Sequence, residues 1–177
     1  EEHMTKPSMG VVLLAVAAIL ALGVGDIAAK SAKSAKAREG LVKQQAAAKE
    51  DLQGALGQLE LVLDGYNKIM RGASKNLAKS YKKLIDEYKK AEPRIEAARQ
   101  SLEQVQTQAE NFFRGRENEL DAFNGPSLKE EATGSLESSK QRHAHWKDAT
   151  QQASLVFPPV VQHLDDQILL LGRSLTP

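Results

Sequence analysis

From Leu41 onward, apolar side chains recur at alternating steps of three and four residues, the spacing that keeps one stripe of an α-helix facing a partner. Such a chain folds as rods lying side by side. The first stripe runs Leu41, Ala48, Leu52, Ala55, Leu59, Val62, Tyr66 and Ile69, with Leu56 and Leu63 widening it. Gly54, Gly57 and Gly65 weaken this helix by up to about 1 kcal/mol each relative to alanine. Small residues also let a neighbouring helix approach closely. The stretch Met70-Arg71-Gly72-Ala73-Ser74-Lys75-Asn76 breaks the pattern, and its Ser and Asn can cap a following helix.

The second stripe is the cleanest: Leu77, Tyr81, Leu84, Tyr88, Ala91, Ile95, Ala98, Leu102, Val105, Ala109 and Phe112, ending near Leu120 and Phe123. At 1.5 Å per residue that helix is about 65 Å long. Pro93 lies inside it, where a proline costs about 3 kcal/mol. Because the register passes Pro93 without a phase change, a kink is expected rather than two helices. Asn124-Gly125-Pro126-Ser127 is the strongest turn signal. A third helix follows, with Leu136, Ser139, His143, Trp146, Ala153, Phe157, Val160, Leu164, Ile168, Leu171 and Leu175 inward, and Pro158-Pro159 bends it or starts a new helical piece. Short turns between long helices imply antiparallel neighbours. The expected fold is therefore all-α: an elongated antiparallel coiled-coil bundle of three long helices over residues 30–177, with an N-terminal apolar helix. No repeat beyond the heptad is present, which disfavours a solenoid.

The apolar front end, Met9 to Gly25, is free of charge until Asp26, with only Lys6 ahead of it. It is long for a signal-peptide core and slightly short for a spanning helix of about 20 residues. Residues 4–29 are read as a signal peptide or membrane anchor, with both alternatives open. No strong small-x-small cleavage site follows; Gly23-Val24-Gly25 and Ile27-Ala28-Ala29 are weak candidates. A buried core helix is disfavoured by the absence of a polar face. Met4 reads as the natural start, and Glu1, Glu2 and His3 are set aside.

With 24 basic and 23 acidic residues the net charge is +1, so no global field draws in nucleic acid or an acidic substrate. The local asymmetry that stands out is near the front, where Lys30, Lys33, Lys36, Arg38 and Lys43 outweigh Asp26 and Glu39. This basic collar is first a solvated helix start. Its functional alternative is contact with anionic lipid headgroups, worth about 1 kcal/mol per basic group. If the apolar segment is an anchor, the collar by the positive-inside tendency holds the rest of the chain in the cytoplasm. Aromatic content is 5%, which suits narrow aliphatic seams rather than a thick core. The absence of cysteine excludes disulfides, thiolate zinc sites, a cysteine nucleophile and lipid attachment through an N-terminal cysteine.

Few residues invite a chemical reading. His143 and His145 form an H-x-H pair, but residues two apart on a helix point about 200° apart and cannot chelate one ion. His143 is expected near the seam and His145 on a polar face; His163 is isolated. Asp165-Asp166 beside Gln167 interrupts an apolar helix. One aspartate is expected at the surface, with the other, or Gln167, making an inter-helix hydrogen bond. Arg114, Arg116, Glu117 and Glu119 around Gly115 read as a solvated charged face, and Trp146 as core. No G-x-S-x-G, phosphate loop, dinucleotide fingerprint or H-E-x-x-H occurs. No catalytic, cofactor-binding or metal-binding residue is named, no cofactor is expected, and the chain is not expected to be an enzyme.

The run Gln141 to Leu175 resembles the signature helix of a bacterial family known as domain of unknown function 2959, in which a proline-valine leads to an Asp-Gln-aliphatic-Leu-x-Leu motif. Here these are Pro159-Val160 and Asp166-Gln167-Ile168-Leu169-Leu170-Leu171. Ala97 to Phe123, with Phe112, Phe113 and Glu119-Leu120, is similar to the family's second helix. The resemblance covers roughly residues 40 to 175. It implies an exported envelope protein, often with a lipoprotein signal, and no assigned activity. This chain lacks the lipid-bearing cysteine, and it stops at Leu175-Thr176-Pro177 where relatives usually continue into another helix, leaving C-terminal truncation open.

The leading functional expectation is a non-enzymatic cell-envelope protein serving as spacer, scaffold or assembly surface. It would be periplasmic, or anchored and facing the periplasm, with a cytoplasm-facing anchor as the alternative. Its expected partners are the membrane, through the apolar segment, and a protein or second copy, through the helical faces; no nucleic acid and no small-molecule substrate are expected. The alternative function is peripheral membrane binding or remodelling, with the amphipathic helices and basic collar lying on lipid.

Overall fold

The structure, a computed structural model, describes residues 32–175. The apolar run Met9–Gly25, and the N-terminal helix expected there, lie outside the described residues. Three α-helices account for the rest: α1 (Ala32–Met70), α2 (Leu77–Leu120) and α3 (Pro126–Leu175).

The α1–α2 turn is closed by two caps. Gly72, at φ +66°, ends α1 in the left-handed conformation that favours glycine. Its N–H donates to Ile69 O at 3.0 Å and that of Ala73 to Lys68 O at 3.1 Å, the paired bonds of a Schellman motif. The Asn76 side chain then accepts the Lys79 N–H at 3.0 Å and caps α2. The second turn is shorter than its sequence suggests: Pro126 and Ser127 already belong to α3. Proline fits the first helical position because its missing N–H would be unbonded there anyway.

Pro93 lies within an unbroken α2, and Pro158 and Pro159 within an unbroken α3. All three prolines are exposed. The fresh helical piece considered for residues after Pro159 is not formed.

The described residues divide into two compact units, one drawn from residues 32–49 and Ser101–Ala153, the other from Glu50–Gln100 and residues 154–175. In the first, Leu41 and Ala48 of α1, Val105, Ala109 and Phe112 of α2, and Leu136 and Trp146 of α3 are buried. Gln44 Nε2 donates to Gln104 Oε1 at 2.7 Å, Ser34 bonds Glu119, and Lys140 meets Glu117 at 2.7 Å. Rising numbers on one helix thus meet falling numbers on the next, so within this unit α2 runs antiparallel to both α1 and α3.

In the second unit Leu52, Ala55, Leu59, Val62 and Ile69 of α1 are buried with Leu84, Ala91 and Ala98 of α2 and Phe157, Leu164, Ile168 and Leu171 of α3. Two of the α1 glycines sit at close approaches here. A Cβ on Gly54 would meet Arg94 Nη1, and one on Gly65 would meet Leu84 Cδ1, each at 3.4 Å. Gly57 faces open space, so its cost in helix propensity has no packing return. Leu77, expected on the second stripe, is exposed at the mouth of the turn.

Candidate functional site

Three places in the described residues hold polar or titratable groups in arrangements beyond a solvated helix face. The first is an aromatic cluster in the first unit. Phe112 and Phe113, adjacent on α2, come together with His143 and Trp146, three residues apart on α3. Phe113 lies 5.5 Å from Phe112 in an edge-on arrangement and 5.4 Å from the imidazole of His143. That imidazole stacks on the Trp146 indole, with centroids 5.6 Å apart. His143 Nδ1 is buried without a hydrogen-bond partner. Burial, reinforced by the nearby Lys147 charge, holds its pKa below the usual 6.5, while Glu110 pulls weakly the other way. Neutral at physiological pH, the ring serves as a flat packing plate. His145 and His163 are exposed, as is the carboxyl-bearing pair Asp165-Asp166. Among the described residues no group of three His, Cys, Asp or Glu could hold a metal ion.

Next to this cluster, the charged run after Arg114 departs from the solvated face expected of it. Arg116 is only 4% exposed and holds Glu119 Oε2 at 2.7 Å through Nη1, while Glu119 also accepts from Ser34. Arg114 and Glu117 stay at the surface. The signal was present in the register: Arg116 falls four residues after Phe112 and seven after Ala109, on the buried stripe itself.

The second place is a layer of phenols in the second unit. All three tyrosines of the chain meet the same stretch of α3. Tyr66 Oη donates to Gln167 Oε1 at 2.7 Å, and Tyr81 Oη donates to the Ile168 carbonyl at 3.3 Å. Tyr88, whose pKa is raised by burial and then by the Asp165 carboxylate, sits beside that residue. The expected inter-helix bond at Gln167 is therefore formed, and its partner is a tyrosine on α1. Nearby, the buried Gln58 amide donates to Glu87 Oε2 at 2.8 Å and to Glu87 O at 2.9 Å. These bonds hold helices in register; none pairs a nucleophile with a base.

The third is the capped α1–α2 turn. From Gly65 to Ile85 the chain carries Lys68, Arg71, Lys75, Lys79, Lys82 and Lys83 and no acidic residue. All six are exposed. The composition of the whole chain hides this stretch because it is nearly neutral overall; a running charge sum would have found it as readily as the front collar.

Helices that bury their apolar stripes against one another, with some polar side chains bonding across helices, define an all-helical bundle protein. Residues 28–176 match a family described as a protein of unknown function (DUF2959), and the chain belongs to that family. The match extends the resemblance of the C-terminal and second helices over nearly the whole chain. No curated protein and no solved structure matches it. Among the described residues no helix is long and apolar enough to cross a membrane.

Proposed function

We propose that this protein is a non-enzymatic component of the bacterial cell envelope whose helices serve as spacer, scaffold or assembly surface. One observation carries the reading: all three helices bury the three-four stripe against each other, and Gln58 and Gln167 bond across helices in ways that fix register. In this reading the stripes pack as a coiled coil, knobs into holes. The envelope location is supported by the resemblance to exported proteins and by the uncharged run Met9–Gly25, which would reach the membrane as a signal or an anchor.

The test is a cysteine introduced at exposed Leu61 of the full-length protein, with crosslinking in intact cells. A discrete adduct with a second copy or one protein partner is expected; absence of any adduct sinks the scaffold role. Mass spectrometry of the native N-terminus after cell fractionation tests the location, cleavage after about residue 25 being the mark of export.

A second reading, peripheral membrane binding through the front collar, draws on Val42, which is exposed between Lys36 and Lys43. It predicts vesicle binding that weakens with salt.

A further inference from the structure

We infer that the capped α1–α2 turn of the second unit is a contact surface for anionic lipid headgroups. This goes beyond the scaffold reading and does not depend on it, because the surface lies in residues 65–85 and needs neither the apolar segment nor export.

Charge comes first. Lys68, Arg71, Lys75, Lys79, Lys82 and Lys83 are all solvent-facing on one turn and the helix ends it joins. The nearest acidic groups offset only one of them, Lys68. Asp64 is tied to Lys68, and Glu87 is engaged by Gln58 and Lys90. Asp86, beside Glu87, flanks the far side on α2. From α3, Gly172 lies against Tyr81, and its neighbour Arg173 adds another basic residue rather than an acid. The first turn of α2 carries no acidic residue, so the positive end of that 44-residue helix adds to the field.

Apolar exposure comes second and decides the class of partner. Met70 is 59% exposed and Leu77 42% exposed, one on each side of the turn. The Schellman bonds of Gly72 end α1 and the Asn76 cap starts α2, which fixes the turn that carries them. A nucleic acid would use the lysines and leave these two side chains in water. A lipid surface takes both: ammonium and guanidinium groups at phosphate level, and a methionine and a leucine at the boundary of the acyl chains.

The native chain has no cysteine, so the full-length protein with Met70→Cys can carry one environment-sensitive fluorophore at the turn. Vesicles of phosphatidylcholine alone should leave its emission unchanged. Vesicles that include phosphatidylglycerol should shift it to the blue, and molar salt should reverse the shift. Combining Lys75→Gln, Lys79→Gln, Lys82→Gln and Lys83→Gln should weaken the response roughly a hundredfold or more. Arg71→Gln with Lys75→Gln, both outside the helices, should weaken it about tenfold and guards against loss of fold in the larger variant. Lys36→Gln with Lys43→Gln, in the front collar, should not change it. The inference is overturned if the protein sediments with the anionic vesicles while the label stays unshifted, which would place binding elsewhere in the chain. It is equally overturned if the lysine variants respond like the parent, or if a duplex oligonucleotide shifts the label as strongly as the vesicles do.

Discussion

The imidazole of His143 lies on the indole of Trp146, their planes 19° from parallel and their centroids 5.6 Å apart. Phe113 closes on the same imidazole from α2, at 5.4 Å. A stacked, partly buried imidazole with an unbonded Nδ1 favours the neutral form, and this makes the pair a reporter of its own protonation.

Trp146 is the chain's sole tryptophan, so its emission reads the stack directly. Fluorescence should stay constant as pH falls to 6.5 and then be quenched at lower pH, when imidazolium forms beneath the indole. His143→Phe should abolish that transition. A titration midpoint at or above 6.5 would contradict the burial argument.

Stability should follow the same group. Because the folded-state pKa of His143 lies below the unfolded value of 6.5, the unfolded chain binds the proton first as pH falls. Stability is therefore complete above about pH 6.5 and declines from there down to the lowered folded value. Urea unfolding at pH 8 and pH 5 should show a smaller difference in His143→Phe than in the parent protein.

Two glycine substitutions in one helix should act in opposite directions. Gly134 has open space around it, so Gly134→Ala should stabilise by about 0.5–1 kcal/mol through helix propensity. A Cβ on Gly172 would collide with the Tyr81 hydroxyl and reach Cζ at 3.0 Å. Gly172→Ala should destabilise by about 1–2 kcal/mol, since Tyr81 must move off its bond to Ile168. Thermal unfolding of Gly172→Ala combined with Tyr81→Phe should recover part of the loss.

Gln58 tests whether buried polar groups hold register. It is 4% exposed, and its amide is shared between two oxygens of Glu87. Gln58→Ala should cost about 1–2 kcal/mol in denaturant unfolding. A double-mutant cycle with Glu87→Ala should return a coupling of about 0.5–1 kcal/mol; additive losses would show that the bond carries no energy.

The interior of each unit was largely legible in advance. Leu41, Leu52, Val62, Leu84, Val105 and Leu136, all expected on stripes, are among the most deeply buried side chains. Errors cluster where a stripe changes chemistry or meets a turn. Arg116 continues the stripe as a charged residue, whose charge points to solvent, yet it is buried, whereas Leu77 continues it in apolar form and is exposed. Phe113 fell outside the three-four count, yet it is buried because a second helix approaches that side of α2.

The order of residues alone determined which face of each helix turns inward, because a helix repeats every 3.6 residues whatever lies next to it. It also determined where the turns fall, through Gly72, Asn76 and Pro126. Which side chains meet across helices was decided only by the tertiary structure. Tyr66 and Gln167 are 101 residues apart, and nothing local links them. Their bond, like the approach of Phe113 to His143, depends on how far one helix slides along another, a quantity set by the sum of many distant contacts.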